Sequence, residues 1–275
     1  MSILAISVLN MFDFQSIYNE YGIWVILLLA VFSFLAGFID AVVGGGGLII
    51  MPFLLINFPK LQLPVLFGTN KISALAGTSV SAIKYAQQIK FDLYLLFIVS
   101  FFAFSASFAG AKIVSQIDSS VLKPFILIVL IVIAVYTFFK KDLGYDQTKN
   151  LSFSKQVIYA SLIGIVVGFY DGFFGPGTGS FLVLGFVLIL GFEFVKASAY
   201  AKIINCITNI SALIVFIKNG QFIIELSIIM AVFTISGSYI GATTALKRGN
   251  EYIRKIFLVI VSIMILKYGY DVFRN

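Results

Sequence analysis

Gly37-Phe38-Ile39-Asp40-Ala41-Val42-Val43-Gly44-Gly45-Gly46-Gly47 closes one long apolar run, and Gly168-Phe169-Tyr170-Asp171-Gly172-Phe173-Phe174-Gly175-Pro176-Gly177-Thr178-Gly179-Ser180 closes another, offset from Gly37 to Gly168 by 131 residues. In both, an aspartate stands just ahead of a glycine cluster. The same offset, without a gap, lays Lys71 on Lys202, Phe91 on Phe222, Gly110-Ala111 on Gly241-Ala242 and Lys123 on Arg254. A constant spacing across glycines, acids and bases reads as internal duplication. The halves run over about residues 20–139 and 155–272, joined by a polar linker at 140–154, within one membrane domain covering residues 1–275.

Outward from these motifs the chain is apolar almost everywhere. Of its 275 residues 60% are hydrophobic and 11% charged, with a mean hydropathy of +1.06, against about 45–50% and roughly 25% in soluble domains. That composition defines an integral membrane protein. Charge-free windows of bilayer length run over 21–39, 41–59, 93–111, 124–139, 156–170, 172–192 and 226–246, and 65–85 and 196–217 each carry an embedded lysine, Lys71 and Lys202, besides one at an end, Lys84 and Lys196. Tyr252 to Tyr270 closes the series. Period-two alternation over ten-residue segments is missing, so the spans are expected to be helices rather than barrel strands.

Nineteen basic and 12 acidic residues give a net charge of +7. Because the positives lie in short loops, they read as topology signals rather than as a nucleic-acid surface. The first twenty residues hold Asp13 and Glu20 but no Lys or Arg, so they lack the basic start of a cleavable signal and are expected outside the cytoplasm. Each half makes an odd number of crossings whether its second and third segments both cross or fold back as a re-entrant pair, so the second half inserts upside down. Lys140, Lys141, Lys149 and Lys155 then fall inside with Lys247, Arg248, Arg254 and Lys255. Inverted repeats with broken helices are an architecture of secondary transporters. The expected fold is therefore an all-α integral membrane protein of two inverted-topology repeats, each a bundle of transmembrane helices with a glycine-rich helix break.

There is no His and one Cys, Cys206, which excludes His-based acid/base chemistry, the usual zinc sites and an intrachain disulfide. No metal or cofactor is expected, and an enzyme would need Ser-Lys or paired-Asp chemistry for which no local motif exists. Cys206 reads as a packing residue. Irregular backbone cannot face acyl chains, so Gly44, Gly45, Gly46 and Gly47 are expected to line a cavity, as are Gly175, Gly177, Thr178, Gly179 and Ser180. Helices starting near Leu48 and Phe181 would aim free N–H groups and a positive dipole end at an anion there. Close helix packing is the competing reading of these glycines, and the better one for the Gly-x-x-x-Gly pairs Gly164/Gly168 and Gly237/Gly241. A nucleotide loop is ruled out by the lack of a Gly-Lys-Ser/Thr ending.

Lys71 and Lys202 each sit inside an apolar segment, at an insertion cost of roughly 2.5–3.5 kcal/mol unless compensated. Thr69 and Asn70 precede the first, and Asn205 and Asn209 share a helical stripe with the second. Both lysines are expected to give the fixed positive charge for an anion, with snorkelling or a structural ion pair as the alternative. Asp40 and Asp171 are their expected partners, with capping of the next helix start or proton coupling as further readings.

These motifs, together with Gly68-Thr69-Asn70-Lys71 and Ala201-Lys202-Ile203-Ile204-Asn205, resemble the TauE/SafE family of membrane transporters over about residues 22–272. The resemblance implies a multi-pass permease of a bacterial-type inner (plasma) membrane that exports a small anion, sulfite or a related sulfonate or organosulfur anion. An anion channel, or a structural or assembly subunit without transport, is the alternative. The second half has Ala199-Tyr200-Ala201 where the first has Gly68-Thr69-Asn70, so the half-sites are chemically unequal. The expected partners are that small anionic substrate and the lipid bilayer; a homo-oligomer is compatible with the sequence but has no support in it.

Overall fold

The computed structural model describes residues 14–117 and 151–274. The 124–139 window and nearly all of the 140–154 linker lie outside the described residues. Among the described residues every regular element is a helix: α1 (Phe14–Val43), α2 (Gly47–Asn57), α3 (Leu63–Ala86), α4 (Leu93–Val114), α5 (Phe153–Phe173), α6 (Thr178–Leu188), α7 (Phe194–Lys218) and α8 (Ile224–Arg274). The stretches Ile17–Val43, Leu93–Val114, Phe153–Phe173, Phe194–Lys218 and Ile224–Gly249 are long and apolar enough to cross a bilayer. Trp24, Phe97 and Val166 are 76%, 71% and 67% exposed, an outer surface suited to lipid rather than water. The chain is an all-α, multi-pass integral membrane protein.

Local chemistry sets the helix ends. Pro64 occupies the first turn of α3, where its missing N–H costs nothing. Asp92 caps α4 by accepting from the Leu95 N–H at 3.0 Å. Lys84, Lys112 and Lys218 stand in the last turns of α3, α4 and α7, where they complement the helix dipole. Helix α5 already begins at Phe153, two residues before the expected start of the second half.

Two apolar windows that are continuous in hydropathy, 41–59 and 172–192, are each broken into two elements. Helix α1 stops at Val43 before α2, and α5 stops at Phe173 before α6. Gly44, Gly175 and Gly177 turn the chain with φ of 82°, 95° and 86°, a region that costs a residue with a Cβ about 1–2 kcal/mol. Helices α2 and α6 have 11 residues each, so at ~16 Å they reach only halfway across a ~30 Å core. Both double back on the helix before them. Phe53 stacks on Phe32 at 4.9 Å, and Phe181 meets Tyr170 edge-on at 5.3 Å. They are half-length helices, each folded back on the helix before it.

The long helices pack through small residues, because lipid gives them no hydrophobic drive and close approach must supply the attraction. A Cβ on Gly37 would strike the Thr234 backbone of α8, and one on Gly237 or Gly241 the backbone of Phe34 or Phe38. On the opposite side Gly164 and Gly168 of α5 lie against Val99 and Ala103 of α4, where an added Cβ would stand 3.0 and 2.6 Å from their carbonyl oxygens. Both Gly-x-x-x-Gly pairs thus mark helix crossings. Helices α3 and α7, which carry the embedded lysines, pack on each other between these two outer pairs.

Candidate substrate site

The two helix breaks meet in the middle of the molecule. Ser180 donates from its backbone N–H to the Gly44 carbonyl at 3.0 Å and from Oγ to the Val43 carbonyl at 2.9 Å. A Cβ on Gly179 would stand 2.5 Å from the Gly44 Cα, one on Gly44 would hit Gly179, and one on Gly47 would lie 2.9 Å from the Pro176 Cα. Only glycine allows this crossing. The second break is braced further by Tyr170, whose hydroxyl donates to the Pro176 carbonyl at 2.6 Å, and by Thr178 Oγ1, which donates to the Gly175 carbonyl at 2.6 Å.

The embedded lysines pair with the aspartates crosswise. Lys71 Nζ lies 2.6 Å from Asp171 Oδ2, both side chains being buried at 4% and 2% exposure. The contact has ion-pair distance without hydrogen-bond geometry, and Asp171 Oδ2 accepts no hydrogen bond from any described residue. Lys202, fully buried, donates to the backbone carbonyl of Asp40 and lies 3.2 Å from its Oδ2, which also accepts from Thr78 Oγ1 at 3.2 Å. The Asp40 carbonyl also accepts the Gly44 N–H, so Lys202 places a cation on the last turn of α1. Neither aspartate caps the following half-helix: α2 and α6 have glycine N-caps, Gly46 and Gly177, without a side-chain bond. The capping reading of Asp40 and Asp171 is thereby corrected.

Around the breaks opens a cavity holding about 540 Å³ of atom-free space, its mouth included. The breaks contribute Gly44, Gly46, Gly47, Gly175, Gly177, Thr178 and Gly179, and the lysine helices contribute Asn70, Lys71, Asn205 and Asn209. Asp40 and Asp171 close the wall. The backbone N–H groups of Gly46, Gly47, Gly177 and Gly179 donate to no acceptor among the described residues. They stand at the N-terminal ends of α2 and α6, whose residues line one cavity with Lys71. Asn209 Nδ2 donates to Asn205 Oδ1 at 3.4 Å, leaving the Asn205 amide N–H₂ to the cavity.

Four expected site residues do not line this cavity. Gly45 faces the Ser180 hydroxyl at a built-Cβ distance of 3.5 Å, and Ser180 itself is spent on holding α1. Thr69 Oγ1 accepts the Ile223 N–H at 2.9 Å, fixing the entry to α8. Lys202 is fully buried against Asp40, so of the two lysines expected at the site only Lys71 lines the cavity. Of the 178–180 N–H groups only that of Gly179 is free, since Thr178 donates to Gly175 and Ser180 to Gly44. Conversely Ala36, Ile50, Ser73, Ala74, Thr78 and Thr234 join the wall. Thr78, two turns on from Lys71, shares its face of α3, a spacing visible in the sequence, whereas Ser73, two residues from Lys71, does not. Thr234 carries no such signal, because it arrives from α8 through the Gly37 crossing. Cys206 Sγ shares a hydrogen bond with Ser79 Oγ at 3.8 Å.

Fold and site together define a class: a multi-pass helical membrane protein with a small charged cavity built where two broken helices cross. The family model for Sulfite exporter TauE/SafE matches residues 29–268, and the chain belongs to this family. It is 32% identical over 253 residues to a "Probable membrane transporter protein" of Haemophilus influenzae, covering 92% of this chain and 97% of that one. It is 35% identical to "Probable membrane transporter protein ORF9" of a Sinorhizobium species over 89% of this chain and 92% of the relative. With "Probable membrane transporter protein YfcA" of Escherichia coli K12 it shares 34% identity, over 89% and 91%. No solved structure matches the chain. The protein is a membrane transporter.

Proposed function

We propose that this protein is a secondary transporter that exports a small sulfur oxoanion, sulfite or a sulfonate, across the cell's inner (plasma) membrane. The observation that carries this reading is that Lys71 lines one cavity with Gly46, Gly47, Gly177 and Gly179, whose backbone N–H groups donate to no acceptor among the described residues. An oxoanion has several acceptor oxygens and no donor need, which matches a wall of fixed donors and one cation. Asn70, Asn205 and Asn209 complete the donor set, and Lys202 holds α1 in place through Asp40 without touching the anion. The family's printed description, sulfite exporter, supports the same substrate class.

Equilibrium binding of sulfite to the purified protein tests the site. Lys71→Gln alone leaves Asp171 without its partner, a change that costs about 3–5 kcal/mol for buried pairs. The double variant Lys71→Gln/Asp171→Asn removes both charges and is expected to stay folded. Loss of a charge-assisted bond of about 1.5–3 kcal/mol should weaken sulfite binding about 10- to 100-fold. Unchanged sulfite affinity in a folded double variant would show that the anion binds elsewhere.

A further inference from the structure

The two buried ion pairs differ in a way that bears on what accompanies the anion. Asp40 has both Thr78 and Lys202 as partners, and Lys202 is anchored twice, by the Asp40 carbonyl and carboxylate. Among the described residues Asp171 has Lys71 as its one charged partner: its Oδ2 takes no hydrogen bond from a described residue and its side chain is 2% exposed. An anion that draws the Lys71 ammonium to itself therefore strips Asp171 of its only counter-charge. A buried carboxylate left without partner is strongly disfavoured in its charged form, and protonation relieves it.

We infer that Asp171 is a proton-carrying residue, taking up one proton when Lys71 transfers its charge to the incoming anion. This rests on the anion reading of the cavity and adds a second activity to it, proton co-transport. The charges balance: empty, the cavity holds Lys71⁺ and Asp171⁻; loaded, it holds Lys71⁺, the monoanion and neutral Asp171. Releasing both restores the ion pair, so a monoanion crosses with one proton and no net charge moves.

No other titratable group on the packed elements is placed to take that role. Helix α6 has none. Helix α4 has Tyr94 and Lys112, both exposed. On α7, Lys202 is held by Asp40, the Tyr200 hydroxyl accepts the Asp92 N–H, Cys206 lies against Ser79, Lys196 covers the Phe192 ring and Lys218 is at the exposed end. On α5 itself the Tyr170 hydroxyl is bound to Pro176, and Lys155 and Tyr159 are exposed at its start.

Titration calorimetry of sulfite into purified protein, repeated near neutral pH in buffers of different ionisation enthalpy, counts protons taken up on binding. Sulfite's own protonation is common to wild type and Asp171→Asn, so their difference isolates the protein's proton. The expected difference is about one proton per anion bound, with Asp171→Glu retaining the uptake. Should Asp171→Asn not fold, methanesulfonate, which does not titrate in this range, gives the wild-type count directly. Sulfite binding with equal proton numbers in wild type and Asp171→Asn, or methanesulfonate binding without uptake, would overturn the proton role and leave the anion site standing. If neither anion binds, the anion reading falls and this inference with it.

Discussion

At the scale of single residues, the crossed ion pairs separate two lysines that look alike in the sequence. Lys71 faces open space and Lys202 faces the backbone of α1. Lys202→Gln should therefore act on folding: it leaves Asp40 without its counter-ion and the last turn of α1 without its cation. A loss of about 3–5 kcal/mol is the usual effect of breaking a buried pair, read as a large drop in melting temperature, with near-normal sulfite affinity in the protein that survives. Weak binding in a fully stable Lys202→Gln would place Lys202 in the site instead. The sequence shows that both lysines are embedded and that aspartates are available, but only the fold decides which carboxylate each reaches, because the partners lie 100 residues apart for Lys71–Asp171 and 162 for Lys202–Asp40.

At the scale of elements, the two glycine breaks pack on each other and also line the cavity. They cross back to back through Gly44 and Gly179, while Gly46, Gly47, Gly175 and Gly177 stand in the cavity wall. Gly44→Ala and Gly179→Ala should each prevent the crossing and remove folded protein, since the new Cβ falls on backbone and Gly44 also has a φ of 82°. Gly45→Ala meets nothing closer than 3.5 Å and should express and bind like wild type. Comparing monodisperse yield of the three checks this directly; tolerance of Ala at position 44 would refute the crossing. Ser180→Ala removes the bond to the Val43 carbonyl and should lower stability by about 1 kcal/mol, a small shift in melting midpoint. Hydropathy alone does not reveal these breaks, because the apolar pattern runs on from α1 into α2 and from α5 into α6 without a polar gap. The glycine clusters are the only local sign of them, and they do not tell which face is covered.

At the scale of the whole molecule, helical class and membrane setting follow from composition, while the assignment of polar residues to one cavity needs the packing of α3, α7 and α8 around the breaks. The proposed topology has the N-terminus outside and the 140–154 linker in the cytoplasm, with the second repeat inverted. The loops after α4 and α7 are linked by Gln221 Nε2 donating to the Ser115 carbonyl at 3.0 Å, and the ion pair of Lys60 with Glu20 at 3.4 Å joins the start of α1 to the end of α2. Single cysteines at Gln116 and Tyr145, in a Cys206→Ala background, should label from opposite sides of sealed vesicles, and labelling from one side would contradict the inverted arrangement. The central claim, that the Lys71 cavity binds a small sulfur oxoanion and carries it through the membrane, is tested most directly by counterflow of radiolabelled sulfite into proteoliposomes preloaded with unlabelled sulfite. Wild type should show transient accumulation above equilibrium, which a channel does not produce, and Lys71→Gln/Asp171→Asn should show none; equal counterflow in both proteins, or none in wild type, would contradict the account.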